Sequence, residues 1–175
     1  MCSSDLLWLT FGLSIFWTLP FPSWEQLISV VSAALVLSYA IAPVTAAGLR
    51  RNAPDLPRPF RVRAFGIIGP ISFMISALIV YWSGWNTLSW LLGLQIVMFV
   101  VYVMCKGKVP EHTVSLAQQV KSSLWLIVFY ALIILFSWLG SFGGLNVIGH
   151  PWDTVLVAAM SLGIYYWGAR SCLPQ

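Results

Sequence analysis

ALVLSYAIAPVTAAGLRRNAPDLPRPFRVRAF, residues Ala34 to Phe65, decides how this chain is read. It opens as an apolar run of membrane-spanning character and stops at the pair Arg50 and Arg51. A proline-rich linker with Arg58, Arg61 and Arg63 follows before the next apolar run begins. Five arginines against the single acid Asp55, directly after a hydrophobic helix, is the pattern of a cytoplasmic loop. Every segment before and after takes its orientation from this loop.

The composition requires lipid. Of 175 residues, 59% are hydrophobic and only 8% charged, with a mean hydropathy of +0.87. A soluble domain carries about 25% charged residues, and its core has no room for this much apolar surface. Ten tryptophans fit the same class, because indole rings favour the headgroup level. The net charge of +4 flanks apolar runs rather than forming a basic face, so it speaks for topology and against a nucleic-acid partner. Cys2, Cys105 and Cys172 stand at segment ends, which supports neither a disulfide framework nor a zinc site. No cofactor is expected.

Outward from the deciding stretch, the chain resolves into six apolar runs. Leu6 to Leu19 is a short first span closed by Pro20 and Pro22, with none of the basic residues that open a signal peptide. Gln26 to Leu49 is the second, about 36 Å long at 1.5 Å per residue. Within it Ala34, Ser38, Ala42 and Ala46 recur every four residues, and this small-residue face is expected to pack against a neighbouring helix. Pro43 frees the carbonyl of Tyr39 and marks an expected kink. Gly66 to Tyr81 and Thr87 to Cys105 form a helical hairpin about Ser83 and Gly84, with Trp82 and Trp85 at the interface. Gln95, the one amide well inside a span, is expected to bond a neighbouring helix. Ser123 to Phe142 is the fifth span, with Trp125 and Trp138 near its two ends, and Asp153 to Trp167 is the sixth.

All nine Lys and Arg residues then fall on one side of the bilayer, in the loops 50–65 and 106–122 and near the carboxy terminus. The positive-inside rule makes that side the cytoplasm, with both termini on it. The fold class is all-α, a polytopic membrane protein of six transmembrane helices whose first partner is the lipid bilayer.

No enzyme chemistry is visible. His112 and His150 sit in loops on opposite faces, no G-x-S-x-G elbow holds a serine, and no phosphate-binding glycine loop follows a strand. Asp5, Glu25, Asp55, Glu111 and Asp153 lie outside the spans or at their ends, where none reads as a buried proton carrier.

The segment Leu49 to Phe65 resembles the loop after the tenth helix of amino acid permeases in the amino acid–polyamine–organocation superfamily. The resemblance rests on Leu49, Arg50, Arg51, Pro54, Asp55, Pro57, Arg58, Pro59, Phe60 and Arg61, and it departs from the pattern at Arg63 and Ala64. It implies that residues 1–50 are similar to helices nine and ten of an inverted-repeat transporter of the LeuT type. Residues 51–65 would form a cytoplasmic loop and 66–175 four peripheral carboxy-terminal helices of the fourteen-helix branch. On this reading the chain is a carboxy-terminal fragment of a secondary amino acid transporter, working by alternating access with proton or sodium coupling and incompetent alone. Substrate and coupling ion would belong to the complete permease, whose amino-terminal helices are the missing partners. The YWSGW turn and the fourteen-helix count lean toward bacterial acidic-amino-acid/proton symporters, which implies a bacterial plasma-membrane location. The family's substrate-binding motifs match nothing here, so no substrate residue is assigned. In the loop itself, Pro54, Pro57 and Pro59 stiffen the link while its arginines suit anionic lipid headgroups. The alternative reading is a standalone six-span accessory subunit.

Overall fold

A computed structural model describes residues 3–18, 23–53, 57, 62–105 and 116–171. They form six helices: α1 (Ser3–Thr18), α2 (Trp24–Asn52), α3 (Phe65–Trp82), α4 (Gly84–Cys105), α5 (Leu116–Leu139) and α6 (Trp152–Ser171). Among the described residues there is no strand. The six apolar runs are thus six helices, and α2, α3, α4 and α5 each contain a stretch long and apolar enough to cross a bilayer. The protein is a polytopic integral membrane protein. Helix α1, at 16 residues, reaches only about 24 Å, short of the roughly 30 Å hydrocarbon core.

Local chemistry explains the ends of α2. The Ser23 hydroxyl accepts from the Gln26 amide at 3.3 Å, Glu25 sits in the first turn, and Arg50 and Arg51 occupy the last. Each charge lies where the helix dipole favours it. The helix runs unbroken through Pro43. Between α3 and α4 only Ser83 intervenes, because Gly84 adopts φ +84°, a left-handed conformation that costs glycine nothing.

Helix α3 is the hub, packed against α2, α4, α5 and α6, and α6 in turn fills the space against α2 and α5. The core runs through Phe73 and Ala77 on α3, Leu37 and Val44 on α2, Phe129 and Ile133 on α5, and Ile164 and Tyr165 on α6. Phe73 stands at its centre, with ring centroids 5.0 Å from Phe129, 6.0 Å from Tyr165 and 6.5 Å from Trp125. The described side chains of α1, by contrast, are exposed all round, and α1 makes no extensive packing with another helix. A helix apolar on every side is at home in lipid or inside a larger assembly.

Three expectations are corrected. The buried stripe of α2 is Val30, Ala33, Leu37, Ala40, Val44 and Gly48, whereas Ser38 and Ala42 are exposed and Ala34 and Ala46 half-buried. A strict spacing of four drifts about 40° per step and leaves the contact face, while alternating threes and fours stay on it. Ser38 tolerates the outer face because its hydroxyl bonds the Ala34 carbonyl at 3.0 Å. Trp125 lies well inside α5, which begins at Leu116, rather than near the helix end, and it is buried because Gly168 of α6 leaves room for its ring. Gln95 is exposed on α4, and no hydrogen bond from it reaches another described side chain; a polar link between α2 and α4 is instead Ser29 with Thr87, hydroxyl to hydroxyl at 3.0 Å.

Candidate functional site

Polar groups gather at the two ends of the bundle. At one end the last turn of α5 exposes carbonyls that a helix cannot satisfy internally, and the following loop folds back onto them. The amide of Leu145 donates to Trp138 O at 2.7 Å, that of Asn146 to Gly140 O at 3.1 Å, and those of Val147 and Ile148 to Leu139 O at 2.9 and 3.0 Å. The return is tight: a Cβ on Gly144 would collide with the carbonyls of Ser137 and Trp138. Trp85 N–H donates to Phe142 O at 3.0 Å, which ties this loop to the α3–α4 turn.

Under the loop lies Asp153, in the first turn of α6 and fully buried. Its Oδ2 accepts from the Tyr81 hydroxyl at 2.8 Å, the Ser141 amide at 3.4 Å and the Ser141 hydroxyl; its Oδ1 accepts from the Thr154 amide at 2.6 Å and the Thr154 hydroxyl at 3.2 Å. Tyr81 itself is fully buried in the last turn of α3, and a Cβ on Gly140 would strike its hydroxyl. Five donors and a helix N-terminus suit a carboxylate that has lost its water. The carboxylate therefore clasps three parts of the chain: the end of α3, the α5–α6 loop and the start of α6.

His150 adds a ring nitrogen, Nδ1, 3.7 Å from Asp153 Oδ1, but its side chain is 65% exposed. Serine, histidine and aspartate so meet, in an order that disables them as a nucleophilic triad. There the histidine must stand between serine and acid to take the serine proton. Here the acid stands between, and Ser141 spends its hydroxyl on Asp153. Among the described residues no three His, Cys, Asp or Glu side chains gather around a metal-sized space. Asp153 is thus buried, against the sequence expectation, yet it is occupied by structural donors.

The opposite end carries the arginines. Arg50 donates to Val62 O at 3.4 Å and lies 4.0 Å over the Phe65 ring, which closes the loop between α2 and α3. Arg51, Arg63 and Arg170 are exposed at this end, while Glu25 and Asp153 lie at the other. Of the loop motif, Arg50, Arg51 and Pro57 are described; Pro54, Asp55, Arg58, Pro59, Phe60 and Arg61 lie outside the described residues, as does His112. No local pattern marks the clasp in the sequence, because Tyr81 and Asp153 are 72 positions apart. The only signal was an acid at the start of an apolar run, a position that more often faces water.

The comparisons with known proteins bear on the chain almost end to end. It is 58% identical over 170 residues, 97% of its length, to the aspartate-proton symporter of Bacillus subtilis (strain 168). It is 33% identical over 153 residues, 86% of its length, to the glutamate/serine transporter AimA of the same organism. The chain spans about a third of the length of these curated relatives, 33% of the first and 28% of the second. No family model matches the chain, and no solved structure does.

Proposed function

We propose that this chain is the carboxy-terminal part of a proton-coupled amino acid transporter of the amino acid–polyamine–organocation superfamily, fourteen-helix type, whose substrate is an acidic amino acid. The observation that carries the reading is 58% identity to an aspartate-proton symporter over 170 residues, an alignment that takes in loops as well as helices. A likeness confined to apolar composition would not extend through the Pro/Arg-rich segment and the capped α5–α6 loop. In this reading α2 belongs to the wall of the core, α3 to α6 form peripheral scaffold, and α1, apolar on every side, seats against helices encoded outside this chain. Substrate and proton are handled there, in the discontinuous helices such transporters place at the bilayer midplane. The Asp153 clasp holds the scaffold's outer end together.

The test is uptake. Cells expressing the 175 residues alone should accumulate no labelled aspartate. Joined behind the part of the Bacillus subtilis symporter that precedes the matching region, the chain should support uptake that a protonophore abolishes. Uptake by the chain alone, or a correctly inserted chimera that stays inactive, would refute the proposal.

The arginine-rich end faces the cytoplasm in this reading. In a background with its own cysteines replaced, Asn86→Cys, exposed at the acidic end, should react with an impermeant maleimide added to intact cells. Arg63→Cys should react only after permeabilisation. The reverse pattern inverts the topology.

A further inference from the structure

At the arginine-rich half of the bundle, α2 and α5 flank α6 without packing extensively on each other, and a groove of about 320 Å³ lies between them. Its floor is Val44 and Trp125, drawn together by the bare backbone of α6. A Cβ on Gly168 would stand 2.8 Å from Val44 Cγ1 and 2.9 Å from Trp125 Cδ2. Its walls are Ile41 and Thr45 on α2 and Ser123 and Leu126 on α5. Thr45 and Ser123 are exposed, so the groove opens to whatever surrounds the bundle.

Size and polarity identify the occupant. A single hydrocarbon chain fits within a groove of this size. Polarity rises along the groove in one direction: Ile41 and Leu126 lie farthest from the arginine-rich end, and the hydroxyls of Thr45 and Ser123 come next. Beyond them stands Arg51, seven residues after Val44 and so on the same face of α2, two turns nearer the end. Apolar depth, hydroxyl collar and cationic rim are the order of groups in an anionic phospholipid read from tail to headgroup.

We propose that this groove is a binding site for an anionic phospholipid, one acyl chain lying over Val44 and Trp125 and the phosphate held at Arg51. The site belongs to the bundle itself and holds whether or not the chain takes part in transport. It would fasten α2 to α5 where protein contacts do not.

The experiment reconstitutes the full chain with phosphatidylglycerol carrying a diazirine midway along one acyl chain, and locates the photoadducts by peptide mass spectrometry. Adducts should concentrate in 41–45 and 122–126, well above the lipid-facing residues Ile67 and Ile75 of α3, which serve as an internal reference. Ser123→Trp, at an exposed position, should fill the mouth and bring groove labelling down to that reference. Arg51→Gln should lower the preference for the phosphatidylglycerol analogue over the phosphatidylcholine analogue about fivefold, the effect of one arginine near a membrane surface. Groove labelling no higher than that of α3, indifference to Ser123→Trp, or crosslinks joining two polypeptides there would overturn the site. Equal labelling by the two analogues would overturn its assignment to an anionic lipid.

Discussion

Asp153→Ala should be among the most damaging single substitutions in this protein, lowering stability by about 3–5 kcal/mol. The side chain is fully buried, and its removal strands the Tyr81 hydroxyl together with the amide and hydroxyl of Ser141. Each buried donor left without an acceptor costs about 1–3 kcal/mol, and the hydroxyls of Tyr81 and Ser141, even where one accepts from the other, cannot satisfy all three. Asp153→Asn keeps the shape and one carbonyl oxygen and should lose less than half as much. Tyr81→Phe removes a single donor and should cost about 1–2 kcal/mol. Denaturation of the purified protein in mixed micelles, followed by tryptophan fluorescence, measures all three. The Asp153→Ala/Tyr81→Phe double variant should be clearly less damaged than the sum of its parts, because both changes break one bond. Additivity, or an Asp153→Ala variant within about 0.5 kcal/mol of the parent, would show that the clasp does not hold the loop.

The second large effect is expected at Phe73→Ala, and its size tests what drives packing in this bundle. Phe73 is fully buried among Phe129, Tyr165 and Trp125. In water such a change costs about 3–5 kcal/mol, part transfer and part cavity. In lipid the transfer part largely vanishes, because the side chain of an unpacked helix rests in hydrocarbon as well. The cavity part persists, since the three rings lose dispersion contacts that nothing replaces. A loss of about 2–3 kcal/mol is therefore expected, against near zero for Ile67→Ala, which is 66% exposed. Equal losses at the two positions would mean that Phe73 is not the centre of a packed core.

Both predictions fall on residues that the sequence did not single out, and the reason is physical. Hydropathy and charge are local properties, so they located the apolar runs, their breaks at Ser83–Gly84 and after Phe142, and the gathering of Lys and Arg on one side. Which face of a run turns inward is a different kind of fact. In a soluble helix water would mark the outer face with polar residues. Here lipid accepts Ile28, Val31 and Leu35 of α2 as readily as the core accepts Leu37 and Val44, so the periodicity that identifies a buried stripe is nearly erased. The small residues of α2 stood out for lack of anything better, and the stripe they marked was one column away from the buried one.

The amino-acid sequence by itself determined that this is a multi-helix membrane protein, how many helices it has among the described residues, and which of their ends are cationic, since each follows from composition over a few turns of chain. Only the tertiary structure decided that Asp153, at the start of α6, is a buried clasp, that Trp125 belongs to the core, and that α2 and α5 leave a groove between them. Those outcomes depend on groups far apart in the chain, Tyr81 with Asp153 and Val44 with Trp125 and Gly168. No local pattern encodes such meetings where the surrounding solvent is as apolar as the core.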